Sequence, residues 1–129
     1  MKYIDLGLPS GTLWAVENEE GLYNYKDAVA KYGDSLPTRE QWEELMNQCK
    51  WKWNGSGYEV TGPNGKSIVL PAMGIRYDDG YVDDVGSIGN YRSSTPNGSD
   101  YGWCINFNSR NMYLNFYVRY YGESVRLVK

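Results

Sequence analysis

The apolar residues of this chain repeat at helical spacing only as far as residue 49 and at strand spacing afterwards, which limits the folds open to it. The clearest element lies just before that change. Thr38 stands at an N-cap position with Gln41 three residues on as its capping-box partner, and Pro37 fixes the entry. Trp42, Leu45, Met46 and Cys49 then recur at i, i+3, i+4 and i+7, so one apolar stripe is predicted on a helix from about Arg39 to Gln48 or Cys49. A shorter helix is expected over residues 24–32. Ala28, Val29 and Tyr32 share helical spacing there, and Gly33 sits where a C-terminal cap belongs. Ahead of both, residues 2–6 suit an opening strand, followed by a turn at 7–11 and the segment Thr12-Leu13-Trp14-Ala15.

Beyond residue 50 the period becomes two. Trp51-Lys52-Trp53 alternates, Asn54-Gly55-Ser56-Gly57 turns, and Tyr58-Glu59-Val60-Thr61 returns. Pro63-Asn64-Gly65 is a hairpin signal leading into the apolar run 67–72. Residues 77–89 are expected to be loop, and short strands are expected at 91–94, 101–108, 112–118 and 124–128. Helices first and strands afterwards imply an α+β fold with a largely antiparallel sheet. At 129 residues, without linker or low-complexity tail, one domain over 1–129 is expected.

Composition then removes several kinds of function. Thirteen basic against sixteen acidic residues give a net charge of −3 with no basic run, so no nucleic-acid partner is expected. No stretch approaches the ~18 apolar residues that cross a bilayer, so no membrane insertion is expected. The start, Met1-Lys2-Tyr3-Ile4-Asp5, lacks the apolar run of a signal peptide; either the chain is not secreted by that route or it begins after a removed leader. There is no histidine, which removes the commonest general base and metal ligand. Carboxylates occur, but no spacing aims two of them at one cleft, and no Ser or Cys has a His to activate it. The expectation is a protein that is not an enzyme and has no cofactor. The acidic stretch Asp78-Asp79-Gly80-Tyr81-Val82-Asp83-Asp84 lacks EF-hand spacing and reads as a solvated loop tip rather than a metal site. Cys49 and Cys104 could pair in an oxidising compartment, or Cys49 could be a small buried hydrophobe on its helix face.

Several segments resemble one known family. Asp5-Leu6-Gly7-Leu8-Pro9-Ser10-Gly11-Thr12-Leu13-Trp14-Ala15, Leu36-Pro37-Thr38-Arg39-Glu40-Gln41-Trp42-Glu43-Glu44-Leu45, Leu70-Pro71-Ala72 and Tyr121-Gly122-Glu123-Ser124-Val125-Arg126 resemble the Fibrobacter succinogenes major paralogous domain, a family widespread in gut Bacteroidetes. Tyr58-Glu59-Val60-Thr61-Gly62-Pro63-Asn64-Gly65 fits as well, and the likeness runs from about residue 3 to 128. It implies a C-type-lectin-like fold of the formylglycine-generating-enzyme type: two helices packed on a small twisted antiparallel sheet with long loops. It also implies an extracellular place, on a cell surface or a virion. Variable proteins of diversity-generating retroelements share that fold, and their hypermutated C-terminal regions resemble residues 90–121 here in being rich in Asn, Tyr, Ser, Gly and Asp. The chain departs from two functional patterns of the fold. Where calcium-dependent lectins carry Glu-Pro-Asn or Gln-Pro-Asp, it has Gly62-Pro63-Asn64 and Thr95-Pro96-Asn97. Where the enzymes have a C-terminal cysteine pair, it has Cys104 alone.

The residues themselves point to recognition. Thirteen Tyr and five Trp against two Phe is a bias toward rings that are buried on one side and wet on the other. Along 112–118, Met112, Leu114, Phe116 and Val118 are expected to face the core, and Tyr113, Asn115, Tyr117 and Arg119 the solvent. Along 101–108, Tyr101, Trp103, Ile105 and Phe107 share one face and Cys104, Asn106 and Asn108 the other. The expected ligand-binding set is Tyr91, Tyr101, Asn106, Asn108, Tyr113, Asn115, Tyr117, Arg119, Tyr120 and Tyr121, which supplies aromatic anchors, amides and Arg for a protein or glycan partner. The competing expectation is an assembly domain of a surface protein, with no ligand of its own and this face covered by a neighbour.

Overall fold

The computed structural model describes residues 2–129. Asn24 caps the first helix, α1 (Tyr25–Tyr32), its Oδ1 accepting from Asp27 N at 2.8 Å; Gly33, at φ 50°, ends it. The capping box forms on the second, α2 (Arg39–Gln48): Thr38 Oγ1 accepts from Gln41 N at 3.1 Å, and Gln41 Oε1 from Thr38 N at 2.8 Å. Thr38→Ala removes one of these partners from an otherwise unpaired amide and is expected to lower stability by about 1 kcal/mol, read as a shifted urea midpoint with an unchanged slope.

The strands form three sheets, so the protein is α+β with two short helices. A ribbon joins β1 (Tyr3–Asp5) to β2 (Leu13–Ala15). A three-stranded meander comprises β3 (Lys50–Trp53), β4 (Gly57–Thr61) and β5 (Ser67–Pro71), with the Pro63-Asn64-Gly65 turn between the last two. The largest sheet runs β10-β9-β8-β6-β7, made of β6 (Met73–Arg76), β7 (Val82–Val85), β8 (Gly89–Asn97), β9 (Tyr101–Phe107) and β10 (Met112–Val118). Its pairings are antiparallel except for one parallel contact, Gly74 with Gly89 between β6 and β8. Among the described residues no helix is long and apolar enough to cross a membrane.

The α2 stripe explains where the main core sits. Trp42 and Leu45 are fully buried, and Met46 and Cys49 pack partly buried against the same cluster. Trp42 meets Trp14 from β2 at 4.7 Å between ring centroids and Tyr91 from β8 at 5.6 Å, while its Nε1 donates to the Arg92 carbonyl at 3.2 Å. A second cluster under α1 gathers Ala15, Ala28, Leu36, Val125 and Leu127.

Two expected elements come out differently. Residues 77–89 contain β7, hidden from a pattern search because Val82-Asp83-Asp84-Val85 does not alternate and three of its four residues are exposed. Residues 124–128 form no strand. Instead the C-terminal segment touches a different neighbour at almost every step: Gly122 pairs with Arg76, Glu123 with Tyr23, Ser124 with Tyr91 and Val128 with Trp14. Arg126 Nε donates to Asn18 Oδ1 at 2.8 Å and its NH1 to the Ala15 carbonyl at 3.1 Å, so a charged residue serves as an internal fastener. As a result β2 lies between two partners. Val16 N donates to the Lys2 carbonyl at 3.0 Å on one side, and Leu13 N to the Lys129 carbonyl at 2.9 Å on the other.

Candidate binding surface

Strand β10 is the last strand of its sheet and has β9 on one side only. Its register sets Tyr113 opposite Asn106, Asn115 opposite Cys104, Phe116 opposite Trp103 and Tyr117 opposite Gly102. The alternation holds at one end, where Met112 and Leu114 pack partly buried against the core. Phe116 keeps to the same face but is 42% exposed instead of filling the interior. Arg39, the first residue of α2, lies over the ring of Trp103, the residue paired with Phe116, at 4.4 Å. Phe116 forms an outer cluster, edge-on to Trp103 at 5.4 Å and to Tyr101 at 5.5 Å.

The opposite face of β10 presents Tyr113, 47% exposed, with Asn115, Tyr117 and Arg119 half-buried. Tyr117 lies 6.1 Å from Tyr121, which meets Tyr120 at 5.6 Å and Tyr77 edge-on at 5.1 Å; Tyr77 stacks on Tyr81 at 6.5 Å. Tyr77 and Tyr81 thus join a run of rings that the sequence pattern did not assign to them. The available signal was two tyrosines flanking an acidic turn. Burial raises the Tyr117 phenol above its usual range, with Cys104 and Glu123 adding to the effect; burial raises Tyr77 too, reinforced by Asp83 and Asp84. Both hydroxyls stay protonated at neutral pH and can donate to a carbonyl or a sugar oxygen.

Several expected ligand residues have other work. Tyr91 belongs to the core: it is fully buried, its ring stacks on Phe107 at 5.9 Å, and its hydroxyl donates to the Pro71 carbonyl at 2.7 Å while accepting from Asn18 Nδ2 at 2.9 Å. Asn106 is half-buried and donates to Asn90 Oδ1 at 2.9 Å. Asn108 builds a turn, its Oδ1 accepting from Arg110 N at 2.9 Å and Asn111 N at 3.0 Å. Asn115 Oδ1 accepts from Phe116 N at 2.8 Å. Arg119 holds the β8–β9 turn, donating to the Gly98 carbonyl at 2.7 Å and the Tyr101 carbonyl at 3.1 Å, with its guanidinium 4.5 Å from the Tyr25 ring. Gly102 permits that stack, because a Cβ there would stand 2.6 Å from the Tyr25 ring. The outward rings of the expected set are Tyr101, Tyr113 and Tyr120, joined by Phe116.

The face of β9 expected to be solvated is instead closed at Cys104, which is fully buried. Beneath it Arg92 and Glu123, both without solvent exposure, approach to 3.6 Å, and Arg92 NH2 donates to the Tyr121 carbonyl at 2.8 Å. The Glu123 oxygens and the Arg92 Nε and NH1 lack hydrogen-bond partners, the neighbouring Cys104 thiol being too weak a donor to satisfy the carboxylate. Burial pushes the Glu123 carboxyl up to about 7 against the attraction of Arg92. No protein-family model, curated protein or solved structure matches this chain.

The thiols are not nucleophiles at neutral pH. Both are free; burial lifts Cys49 to about 11 and Cys104 well above its usual range. Among the described residues no three acidic or cysteine side chains converge at metal-binding spacing. The acidic turn uses its own carboxylates locally, Asp79 Oδ1 accepting from Tyr81 N and Asp83 Oδ1 from Asp84 N, each at 2.9 Å.

Proposed function

We propose that this chain is a non-catalytic ligand-binding module with a C-type-lectin-like fold, displayed on a cell surface or virion, which recognises a protein or glycan through the aromatic surface around β10. The supporting observation is the exposure of Tyr101, Tyr113, Phe116 and Tyr120 around one edge strand, in a segment that has no Lys, Asp or Glu from residue 101 to 121. Exposed rings cost little rotamer entropy when they are covered, and a lack of Lys and Glu is typical of interface centres. The lectin-like reading is supported by two helices beside small antiparallel sheets, and by first and last segments that share β2 as a neighbour. Diversification by a retroelement fits the division of labour within 90–121. Tyr91, Arg92, Ile105 and Phe107 hold the interior, and the outward rings can change without disturbing it.

The test is a ligand screen on glycan and protein arrays, followed by titration of variants. Tyr113→Ala or Phe116→Ala is expected to weaken the captured ligand by tenfold or more, as for about 1.4 kcal/mol or above at a central anchor. Val69→Thr, on the distant strand β5, is expected to bind normally. Unchanged affinity in both aromatic variants would rule this surface out. A homodimer in solution that buries β10 would favour the assembly reading instead.

A further inference from the structure

The five-stranded sheet ends in an open edge. β9 pairs with β10 on one side, and among the described residues no segment pairs with it on the other. We propose that this edge binds β10 of a second copy of the chain, antiparallel and about a two-fold axis at Asn115, so that two sheets join into one.

The other outer strands carry devices that stop such pairing. β7 bears Asp83 and Asp84, and Asp84, at φ 64°, breaks its line. β3 bears Lys50 and Lys52. β5 ends at Pro71, and the Arg126 guanidinium takes up its Val69 carbonyl. β1 is only three residues long. β10 has none of these. Its seven residues include no charge and no proline, and its register with β9 runs from Met112 to Val118 without a bulge.

The phase of the ladder shows which backbone groups face outward. Arg119 N donates to the Asp100 carbonyl and Asn108 N to the Asn111 carbonyl, so the odd-numbered residues of this segment exchange bonds with β9. The N–H and C=O groups of Met112, Leu114, Phe116 and Val118 therefore point away from it. Two of these groups have local partners. Phe116 N is held by Asn115 Oδ1 of its own chain, and the Val118 carbonyl accepts from Tyr121 N at 3.2 Å with its second lone pair left over.

The order of the side chains chooses the occupant. Met112-Tyr113-Leu114-Asn115-Phe116-Tyr117-Val118 has the same pattern in both directions: apolar, Tyr, apolar, Asn, apolar, Tyr, apolar. A two-fold axis at Asn115 sets Leu114 opposite Phe116, Met112 opposite Val118 and Tyr113 opposite Tyr117 of the other copy. It also brings outward-facing residues opposite outward-facing residues, as an antiparallel ladder requires; an axis between two residues would not. The Leu114 carbonyl of one copy then replaces Asn115 Oδ1 at Phe116 N of the other, and the two Asn115 amides meet at the axis. The exposed Phe116 ring gains Leu114 as a cross-strand neighbour. Such pairing takes the edge of β10 and leaves the face with Tyr113 open, so dimerisation and ligand recognition stand or fall separately.

The test is sedimentation of the full chain over a concentration series up to about 1 mM, a range that detects even weak association. A monomer–dimer equilibrium is expected. Amide exchange at Met112, Leu114 and Val118 is expected to slow as the dimer fills, while exchange at Tyr113 and Tyr117 stays the same. A half-labelled sample should show contacts between the Leu114 methyls of one copy and the Phe116 ring of the other. Asn115→Asp keeps the acceptor for Phe116 N but sets two carboxylates face to face at the axis. It is expected to weaken the dimer by about tenfold or more at neutral pH, with the dispersed spectrum of the folded protein intact. Asn54→Asp, which adds the same charge in the β3–β4 turn, is expected to dimerise as the wild type does. A monomer throughout, a dimer whose Leu114 amide stays unprotected, or equal dimerisation by Asn115→Asp would overturn the proposal, whatever the arrays capture.

Discussion

Arg92→Met is expected to destabilise the fold by about 3–5 kcal/mol at pH 8, because it leaves the Glu123 carboxylate buried with no opposite charge. The double variant Arg92→Met/Glu123→Leu should recover most of that loss, since a buried ion pair exchanged for apolar groups of similar size is generally close to neutral. Acidity provides an independent reading of the same pair. Glu123 titrates at about 7 in the folded protein against an ordinary 4.5, so the native state holds this proton more tightly than the unfolded chain. Its contribution is fully present below about pH 4.5 and disappears as pH rises through about 7. Relative to Glu123→Gln, whose side chain does not titrate, the wild type should gain on the order of 3 kcal/mol between pH 8 and pH 4.5. Urea unfolding of both proteins at half-unit intervals would show it, and a difference that stays flat with pH would mean that Glu123 keeps one protonation state throughout.

Trp42→Ala carries the other large effect, about 3–5 kcal/mol. The ring sits where α2, β2 and β8 meet, against Trp14 and Tyr91, and no small rearrangement can fill so large a space. Trp42→Phe separates packing from hydrogen bonding. It keeps an aromatic body and leaves the Arg92 carbonyl without its indole donor, so a loss nearer 1 kcal/mol is expected. Chemical denaturation of the two variants decides it. A loss below 1 kcal/mol for Trp42→Ala would show that this contact does not organise the core.

What the sequence made legible was local. The α2 cap needs only Thr38 and Gln41, three residues apart, and it forms as written. The hairpin at Pro63-Asn64-Gly65 and the limits of β10 are equally short-range. What was hidden depended on distant segments. Tyr91 looks like its neighbours in a Tyr-rich region, but its position is set by Asn18 and Pro71, far away in the chain. Phe116 obeys the alternation and is still exposed, its ring gathered with those of Tyr101 and Trp103 in an outer cluster. The asparagines were rightly placed on or near strands, yet Asn106, Asn108 and Asn115 satisfy nearby amides, which residue type alone cannot reveal. β7 escaped notice because its backbone at Asp84 departs from the regular strand.

The placing of β2 between the two end segments has a mechanical consequence. β1 and the C-terminal segment each run antiparallel to β2, hence parallel to one another. Tension applied at residues 2 and 129 therefore drags the outer segments in opposite directions along a common axis. Bonds such as those from Val16 to Lys2 and from Leu13 to Lys129 are loaded together rather than opened singly. A domain pulled in that geometry yields only when the whole row gives way, so its resistance to force exceeds that of any one of those bonds.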